Sequence, residues 1–155
     1  MSSEYRVLIN GELCEASTKE TMEVINPANG KVVGLAPKCS SLEIDRAVEA
    51  AYKAGPAWAE KSPTDKAALF FKMAELLRAR REEWAKLETM QYGGPIFKTH
   101  NFDMTFDAQH FEFMAGVARA MNGATLPVGP QAISMTIRQP LGVVGLITPW
   151  NFPLV

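Results

Sequence analysis

Two stretches near the start of the chain alternate apolar and polar residues around an Asn-Gly pair. The first covers residues 5–13 and turns at Asn10-Gly11, and the second covers residues 23–35 and turns at Asn29-Gly30. Asn-Gly strongly favours the tight turn between two antiparallel strands, because both residues tolerate a positive φ. The pattern therefore predicts two β-hairpins.

After the hairpins the apolar residues recur every three or four positions, a spacing typical of amphipathic helices. Ser40 and Glu43 form a capping-box pattern at the start of the first helix, which is predicted to end at Gly55-Pro56. Ser62 followed by Pro63 predicts the start of the second helix. The apolar stripes of the two helices consist of Ile44, Ala47, Val48, Ala51 and Tyr52, and of Leu69, Phe70, Met73, Ala74, Leu76 and Leu77.

The second half of the chain begins with a break in this helical pattern. The charged run 78–83 predicts a break or bend in the second helix, and a third helix is predicted over about 102–121. Asn122-Gly123 resembles the left-handed cap that ends many helices. In the following stretch, 133–137, Ile and Met alternate with polar residues, which predicts a half-exposed antiparallel strand.

The run 140–148 is apolar and β-branched without polar alternation, as expected for a strand buried on both faces. Ligands bind beyond the carboxyl ends of parallel strands, and Asn151 follows at that position. Pro149 and Pro153 restrict the backbone on either side of Asn151, so its amide is a candidate preorganised donor. The alternative is that Asn151 only satisfies a turn between the two prolines.

The composition narrows the class of protein. The chain has 155 residues, of which 47% are hydrophobic and 21% charged, enough for a single-domain core. A formal net charge of −1 gives no reason to expect nucleic acid or an anionic membrane as a partner. No leader peptide or apolar stretch of membrane-spanning length is found, so a cytoplasmic location is expected. Cys14 and Cys39 form neither a disulfide framework nor a zinc site.

Several short motifs occur in an order that resembles the N-terminal part of the NAD(P)-dependent aldehyde dehydrogenases. The motifs are Ile9-Asn10-Gly11-Glu12, Val24-Ile25-Asn26-Pro27-Ala28-Asn29-Gly30-Lys31-Val32, Asp45-Arg46-Ala47-Val48-Glu49-Ala50-Ala51, Leu87-Glu88-Thr89, Gly93-Gly94-Pro95, Pro140-Leu141-Gly142-Val143-Val144-Gly145 and Pro149-Trp150-Asn151-Phe152-Pro153. The resemblance implies an α/β fold, in which residues 1–155 supply the hairpins and helices of a Rossmann-like cofactor domain. It also implies that about 124–140 belong to an oligomerisation hairpin, through which the protein forms homo-oligomers.

In the family that the chain resembles, a cysteine thiolate attacks an aldehyde, hydride passes to the nicotinamide of NAD or NADP, and water hydrolyses the thioester. The resemblance assigns Asn151 to the oxyanion hole, where its amide donates to the oxygen that becomes negative. Ile147, Thr148, Pro149 and Trp150 resemble the segment that lies along the cofactor, mainly through backbone atoms.

The resemblance also places three phenylalanines, Phe102, Phe106 and Phe152, in the tunnel that admits the aldehyde. They suit an apolar or aromatic aldehyde by burial, or a quaternary-ammonium aldehyde by cation–π contact. The alternative is ordinary core packing, because Phe102 and Phe106 share a helical stripe with His110. The aldehyde is the expected small-molecule partner.

One departure from the family's pattern bears on metal binding. Gln91 stands where many members carry an aspartate that helps to bind a monovalent cation together with the carbonyls of Val24 and Ile25. Hard cations prefer carboxylate oxygens, so no metal is predicted here.

The cysteine and glutamate motifs of the family's chemistry are not recognisable in this sequence. Cys14 and Cys39 stand outside the nucleophile context, so the chain is interpreted as a truncated portion that is inactive alone. The alternative is a non-catalytic, stand-alone interaction module. Because run 140–148 needs neighbours on both faces, the isolated chain is expected to be unstable, rearranged, swapped or oligomeric.

Overall fold

The computed structural model describes residues 3–155, and its first part consists of five short strands. The strands are β1 Ser3–Glu4, β2 Val7–Ile9, β3 Glu12–Cys14, β4 Thr21–Ile25 and β5 Val32–Pro37. β2 and β3 form an antiparallel hairpin, with φ of 52° at Asn10 and 80° at Gly11. β4 pairs antiparallel with β5, which also pairs in parallel with β1. Both predicted hairpins are therefore confirmed.

Five helices follow the strands, and a turn of π-helix at Thr99–Asp103 precedes the last of them. The helices are α1 Ser41–Glu60, α2 Pro63–Ala79, α3 Arg81–Tyr92, the single turn α4 Ile96–Lys98, and α5 Met104–Arg119. The capping box of Ser40 and Glu43 is present, and Ser62 caps α2 ahead of Pro63, as predicted. The break in the charged run is confirmed at Arg80, whose φ of −110° and ψ of 22° separate α2 from α3.

Two predicted helix ends are wrong. α1 continues through Pro56 to Glu60, because the fixed φ of proline is helical and only one intrahelical hydrogen bond is lost there. α5 ends at Arg119, ahead of the predicted Asn122-Gly123 cap. Gly123 instead lies against the carbonyl of Thr136, where a Cβ atom would clash. It allows a close approach of two backbone segments, without a left-handed conformation.

The core lies between α2 and α5. Ala74 and Leu77 of α2 are buried against Ala108 of α5, with Trp84 and Phe111 packed at the edge. The two alanines are small, which lets the helices approach closely and bury their shared face. The π-helical turn runs directly into α5 and packs against α3.

The last part of the chain contains the hairpin of β6, Thr125–Pro127, and β7, Ile133–Met135. The predicted antiparallel strand is thus present, but its apolar side chains face outward: Ile133 is 78% exposed and Ser134 is half-buried. The pattern is the reverse of that expected for an apolar face packed on a core. Within residues 3–155, no further strand pairs with either edge of this hairpin.

The predicted buried strand over 140–148 is wrong. This segment has no strand pairing, Leu141 is 93% exposed and Ile147 is fully exposed. A strand buried on both faces needs hydrogen-bonded neighbours, and within residues 3–155 the strands form only one three-stranded and two two-stranded sheets elsewhere. Gly142, with a φ of 92°, also departs from an extended conformation. In the same described range, no helix is both long and apolar enough to span a membrane.

Candidate active site

A cavity of about 710 Å³ lies between the start of α5 and the segment that contains Asn151. It brings together the three phenylalanines that the sequence suggested for an aldehyde tunnel, although they are far apart in the chain. The lining residues are Asn101, Phe102, Asp103, Thr105, Phe106, Gln109, Pro149, Phe152 and Val155. The wall is therefore mainly aromatic and apolar, with neutral amides and a hydroxyl beside one carboxylate.

Phe102 and Phe106 are more exposed than core packing would require. Phe102 is 60% exposed and Phe106 is 48% exposed, while Phe106 stacks edge-on against His110 with ring centroids 4.3 Å apart. Phe152 reaches the same cavity from the other side. Large apolar side chains that surround a cavity are typical of a binding site for an apolar ligand.

The π-helical turn Thr99–Asp103 positions this side of the cavity, and the spacing of apolar residues did not predict it. Arg81 of α3 holds the turn, because its Nε donates to the carbonyl of His100 at 2.6 Å and its Nη2 donates to Thr105 Oγ1 at 3.0 Å. The hydroxyls of Thr99 and Thr89 share a hydrogen bond of 2.7 Å. Such turns are frequent at functional sites.

One sequence signal could have revealed the wide turn. Phe97 and Phe102 are five residues apart, and their rings meet edge to face with centroids 5.9 Å apart. Side chains in an ordinary α-helix meet at separations of three or four residues. A separation of five fits the i→i+5 hydrogen bonding of a π-helix.

A charged cluster lies directly beneath Phe152. The Nζ atom of Lys98 donates to the two carboxylate oxygens of Asp103 at 2.7 and 3.0 Å and to the hydroxyl of Tyr92 at 3.1 Å. The same atom lies 4.1 Å from the centroid of the Phe152 ring. Burial alone would lower the pKa of Lys98, but Asp103 and Tyr92 outweigh it, so the pKa is raised. Lys98 therefore stays an ammonium ion.

Two further carboxyl groups, Glu88 and Asp107, are buried near this cluster. Burial, followed by the charges of Glu88 and Asp103, raises the pKa of Asp107 to about 7. Burial, followed by the charge of Asp103, also raises the pKa of Glu88. The backbone N–H of Leu154 and the positive charge of Lys98 act in the opposite direction. Within residues 3–155, both oxygens of Glu88 and the Oδ2 atom of Asp107 lack a hydrogen-bond partner, so that the Leu154 N–H is near without bonding.

Asn151 lies in an exposed turn next to the cavity. The backbone N–H of Phe152 donates to the carbonyl of Pro149 at 3.3 Å, so the backbone itself closes the turn. No hydrogen bond engages the Asn151 side chain in the part of the chain described by the structure. Its amide is therefore not needed for the turn and is open to a ligand.

The four residues before Asn151 that resemble the cofactor segment are also exposed. Ile147 and Trp150 have 100% and 83% of their surface accessible. The backbones of Ile147 and Thr148 make no hydrogen bond within residues 3–155. Unused backbone donors and acceptors on an open surface fit a segment that would hold a cofactor through main-chain atoms.

The thiols and the possible cation ligands lie away from the cavity. Cys14 is half-buried, with its Sγ atom 4.0 Å from the guanidinium of Arg46, and Cys39 is exposed. Gln91 lines a separate cavity of about 150 Å³ together with Glu88. No group of three or more His, Cys, Asp or Glu residues that could hold a metal ion is found within residues 3–155.

Comparison with known proteins gives a consistent match over nearly the whole chain. Residues 14–155 match the sequence model described as the aldehyde dehydrogenase family. A solved NAD-dependent aldehyde dehydrogenase from Sinorhizobium meliloti is 37% identical, with a TM-score of 0.93 over 99% of this chain and 31% of that chain. An E. coli NADP-dependent enzyme is 34% identical, with a TM-score of 0.92 over 98% of this chain and 32% of that chain.

A third solved structure contains bound molecules. It is an indole-3-acetaldehyde dehydrogenase mutant from P. syringae in complex with NAD⁺ and IAA, 30% identical with a TM-score of 0.92. The match covers 99% of this chain and 32% of that chain. The present chain thus spans about a third of the length of the structures that it matches.

Proposed function

The chain belongs to the aldehyde dehydrogenase family, and on that premise we propose that it forms part of an enzyme that oxidises an aldehyde to a carboxylic acid with NAD or NADP. The observation that carries the proposal is the cavity in which Phe102, Phe106 and Phe152 meet beside the turn that presents Asn151. An apolar pocket next to an unused amide donor suits a carbonyl that gains negative charge during attack.

Asn151 would stabilise the oxyanion. Its side-chain amide would donate to the aldehyde oxygen as a thiolate attacks the carbonyl carbon, and the two flanking prolines limit the backbone's freedom to move the donor away. Cys14 and Cys39 do not line the cavity, so the thiolate would come from another part of the enzyme.

The cofactor would lie along Ile147, Thr148, Pro149 and Trp150. Their exposed backbone atoms would orient it beside the aldehyde, so that its nicotinamide accepts the hydride. Since the contacts are mainly through the backbone, substitution of Ile147 or Thr148 would affect cofactor binding less than substitution of Asn151 affects turnover. This segment does not favour one of the two cofactors.

The assembly and location of the protein form a further part of the proposal. The β6–β7 hairpin, within 124–140, would pair with another copy, because an exposed edge strand offers unpaired backbone groups. The enzyme would then be a homo-oligomer, with a cytoplasmic location. The exposed side chains of Ile133 and Ile137 also favour a second candidate, in which the chain acts as a non-catalytic interaction module. Retention of oligomer formation without any aldehyde oxidation would support that second candidate.

Substitution of Asn151 by alanine in the protein expressed from its complete reading frame tests the proposed reaction. Loss of one oxyanion donor typically costs about 3 kcal/mol, so turnover should fall by roughly two to three decades. Steady-state kinetics of nicotinamide reduction would measure it, with the exposed Asn122→Ala as the matched control. Near-normal turnover in Asn151→Ala would reject the assigned role.

A further inference from the structure

The ammonium group of Lys98 joins the helical side of the cavity to the segment around Asn151. It is held by Asp103, with Nζ–O distances of 2.7 and 3.0 Å, and by the hydroxyl of Tyr92 at 3.1 Å. It also lies 4.1 Å from the centroid of the Phe152 ring, the residue that follows Asn151. This separation is well within the range of a cation–π contact.

The carboxylate that holds Lys98 is shielded from water, and the ammonium group is partly exposed. The side chain of Asp103 is 6% exposed and that of Lys98 is 37% exposed. Tyr92 also donates to Asp103 Oδ2 at 3.3 Å, so the carboxylate is held from two sides. An ammonium that is fixed in place attracts an aromatic ring more strongly than one that moves freely in water. The position of Phe152 is therefore tied to that of Lys98.

We propose that Lys98 is a positioning residue, which holds the Phe152 ring at the cavity wall and makes the cavity select neutral, apolar aldehydes over cationic ones. The proposal rests on the proposed function, because it concerns the aldehyde that the same cavity admits. It decides between the two substrate classes that three phenylalanines alone leave open.

Charge is the reason for the selection. Asp103 is the acidic residue in the cavity wall, and its carboxylate is already neutralised by Lys98. The other polar lining residues, Asn101, Thr105 and Gln109, carry no charge. A cationic substrate would find no unpaired carboxylate in the wall, and the Phe152 ring that could attract it already contacts the Lys98 cation. A neutral apolar group has no such cost and gains from burial.

The test uses two aldehydes of the same shape that differ by one charge. Tert-butylacetaldehyde is neutral, and trimethylammonioacetaldehyde is its cationic counterpart. With the protein expressed from its complete reading frame, the wild type should give the higher kcat/KM for the neutral aldehyde, by about tenfold or more. Equal values, or a preference for the cation, would overturn the proposal.

Lys98→Met keeps an unbranched, flexible side chain that is one atom shorter, and it removes the charge. KM for the neutral aldehyde should rise about fivefold with kcat changed less than about twofold, because the ring loses its cation–π partner. The kcat/KM ratio should shift toward the cation by about tenfold, since the Asp103 carboxylate is left unpaired. A purely structural role would affect both aldehydes alike and leave that ratio unchanged, which would overturn the proposal.

Two further variants separate charge from fold. Lys98→Arg retains the cation and should keep every parameter within about threefold of wild type. The double variant Lys98→Met with Asp103→Asn removes both charges, so the ratio should return toward the neutral aldehyde while its KM stays raised. A double variant that keeps the cationic preference would contradict the charge argument.

A binding measurement distinguishes failure of the proposed function from failure of this inference. If the wild type oxidises no aldehyde, the proposed function fails. Calorimetric titration with the two corresponding amides, 3,3-dimethylbutanamide and trimethylammonioacetamide, still reports the charge selection without turnover. Preferential binding of the neutral amide, reversed in Lys98→Met, supports the role of Lys98, whereas equal or absent binding overturns it.

Discussion

Asp107 is a carboxylic acid enclosed between helices, and its titration affects the stability of the whole protein. Burial, together with the charges of Glu88 and Asp103, raises its pKa from an ordinary 3.8 to about 7. The folded protein thus holds a proton that the unfolded chain releases at lower pH. The contribution of Asp107 to stability is complete below about pH 4 and is lost as the pH rises through about 7.

Replacement of Asp107 by asparagine should remove this loss. At pH 8 the variant should be more stable than wild type by on the order of 2 kcal/mol. This is less than the full pKa shift of Asp107 would give, because Asp107 titrates together with Glu88 and Asp103. At pH 4 the difference should nearly vanish. Urea unfolding at both pH values would measure it, with the exposed Asp45→Asn as control. An equal effect at the two pH values would rule out the titration of Asp107 as its cause.

The role of a residue could be predicted from the sequence where its interaction partners are close to it in the chain. Ser40 and Glu43 are three residues apart, and their capping box was predicted correctly. The partners of Asp107 and the contact between Lys98 and Phe152 arise only when α3, α5 and the C-terminal segment pack together. The three phenylalanines were grouped by resemblance, and the packing brings them to one cavity.

At the scale of elements, Glu43 joins α1 to the loop that follows β3. Its carboxylate accepts hydrogen bonds of 2.9 Å from the backbone N–H groups of Ser40 and Ser17. These bonds lower the pKa of Glu43 from 4.5 to about 2. The stabilising contribution is present above about pH 4.5 and is lost as the pH falls toward 2.

Glu43→Gln should therefore destabilise the protein at pH 7 and reduce its sensitivity to acid between pH 4.5 and 2. Thermal unfolding followed by circular dichroism across this range would show both effects. Glu20→Gln is the matched control, because Glu20 forms only an exposed ion pair with Lys38. If Glu43→Gln retained the acid sensitivity of wild type, the carboxylate would not be its source.

The same distinction between local and distant partners holds for the helices and strands. The hairpin turns and the starts of α1 and α2 depend on neighbouring residues, and the sequence predicted them. The end of α1 was predicted wrongly because Pro56 allows the helix to continue once its surroundings support it. The π-helical turn was missed because its cause includes Arg81, which lies 19 residues before the His100 carbonyl that it holds.

At the scale of the whole molecule, the segment 140–148 presents apolar side chains that no described strand covers. Leu146 and Ile147 are 85% and 100% exposed. The apolar composition of the segment suggested a buried strand. The sequence could not show whether partner strands are present to cover it, because strand pairing is non-local. Contiguous exposed apolar surface promotes association between molecules.

The 155-residue chain should therefore self-associate through this segment. Leu146→Lys combined with Ile147→Lys should shift the chain toward the monomer at micromolar concentrations, without lowering its melting temperature. Analytical ultracentrifugation over a concentration series would measure the shift. Leu42→Lys, a change at an exposed position on α1, serves as control. Unchanged sedimentation of the double variant would place the association elsewhere, for example at β7.

The π-helical turn has a consequence for how the cavity could change by insertion or deletion. In an α-helix each residue advances the direction of the side chains by about 100°. The turn at Thr99–Asp103 accommodates one residue beyond that periodicity, which sets the angular phase of α5 relative to α4. Removal of one codon within the turn would rotate α5, and with it Phe106, by about a quarter of a circle, while the helix itself could persist. A single change of length would thus alter which side chains the substrate meets, without any substitution in the cavity wall.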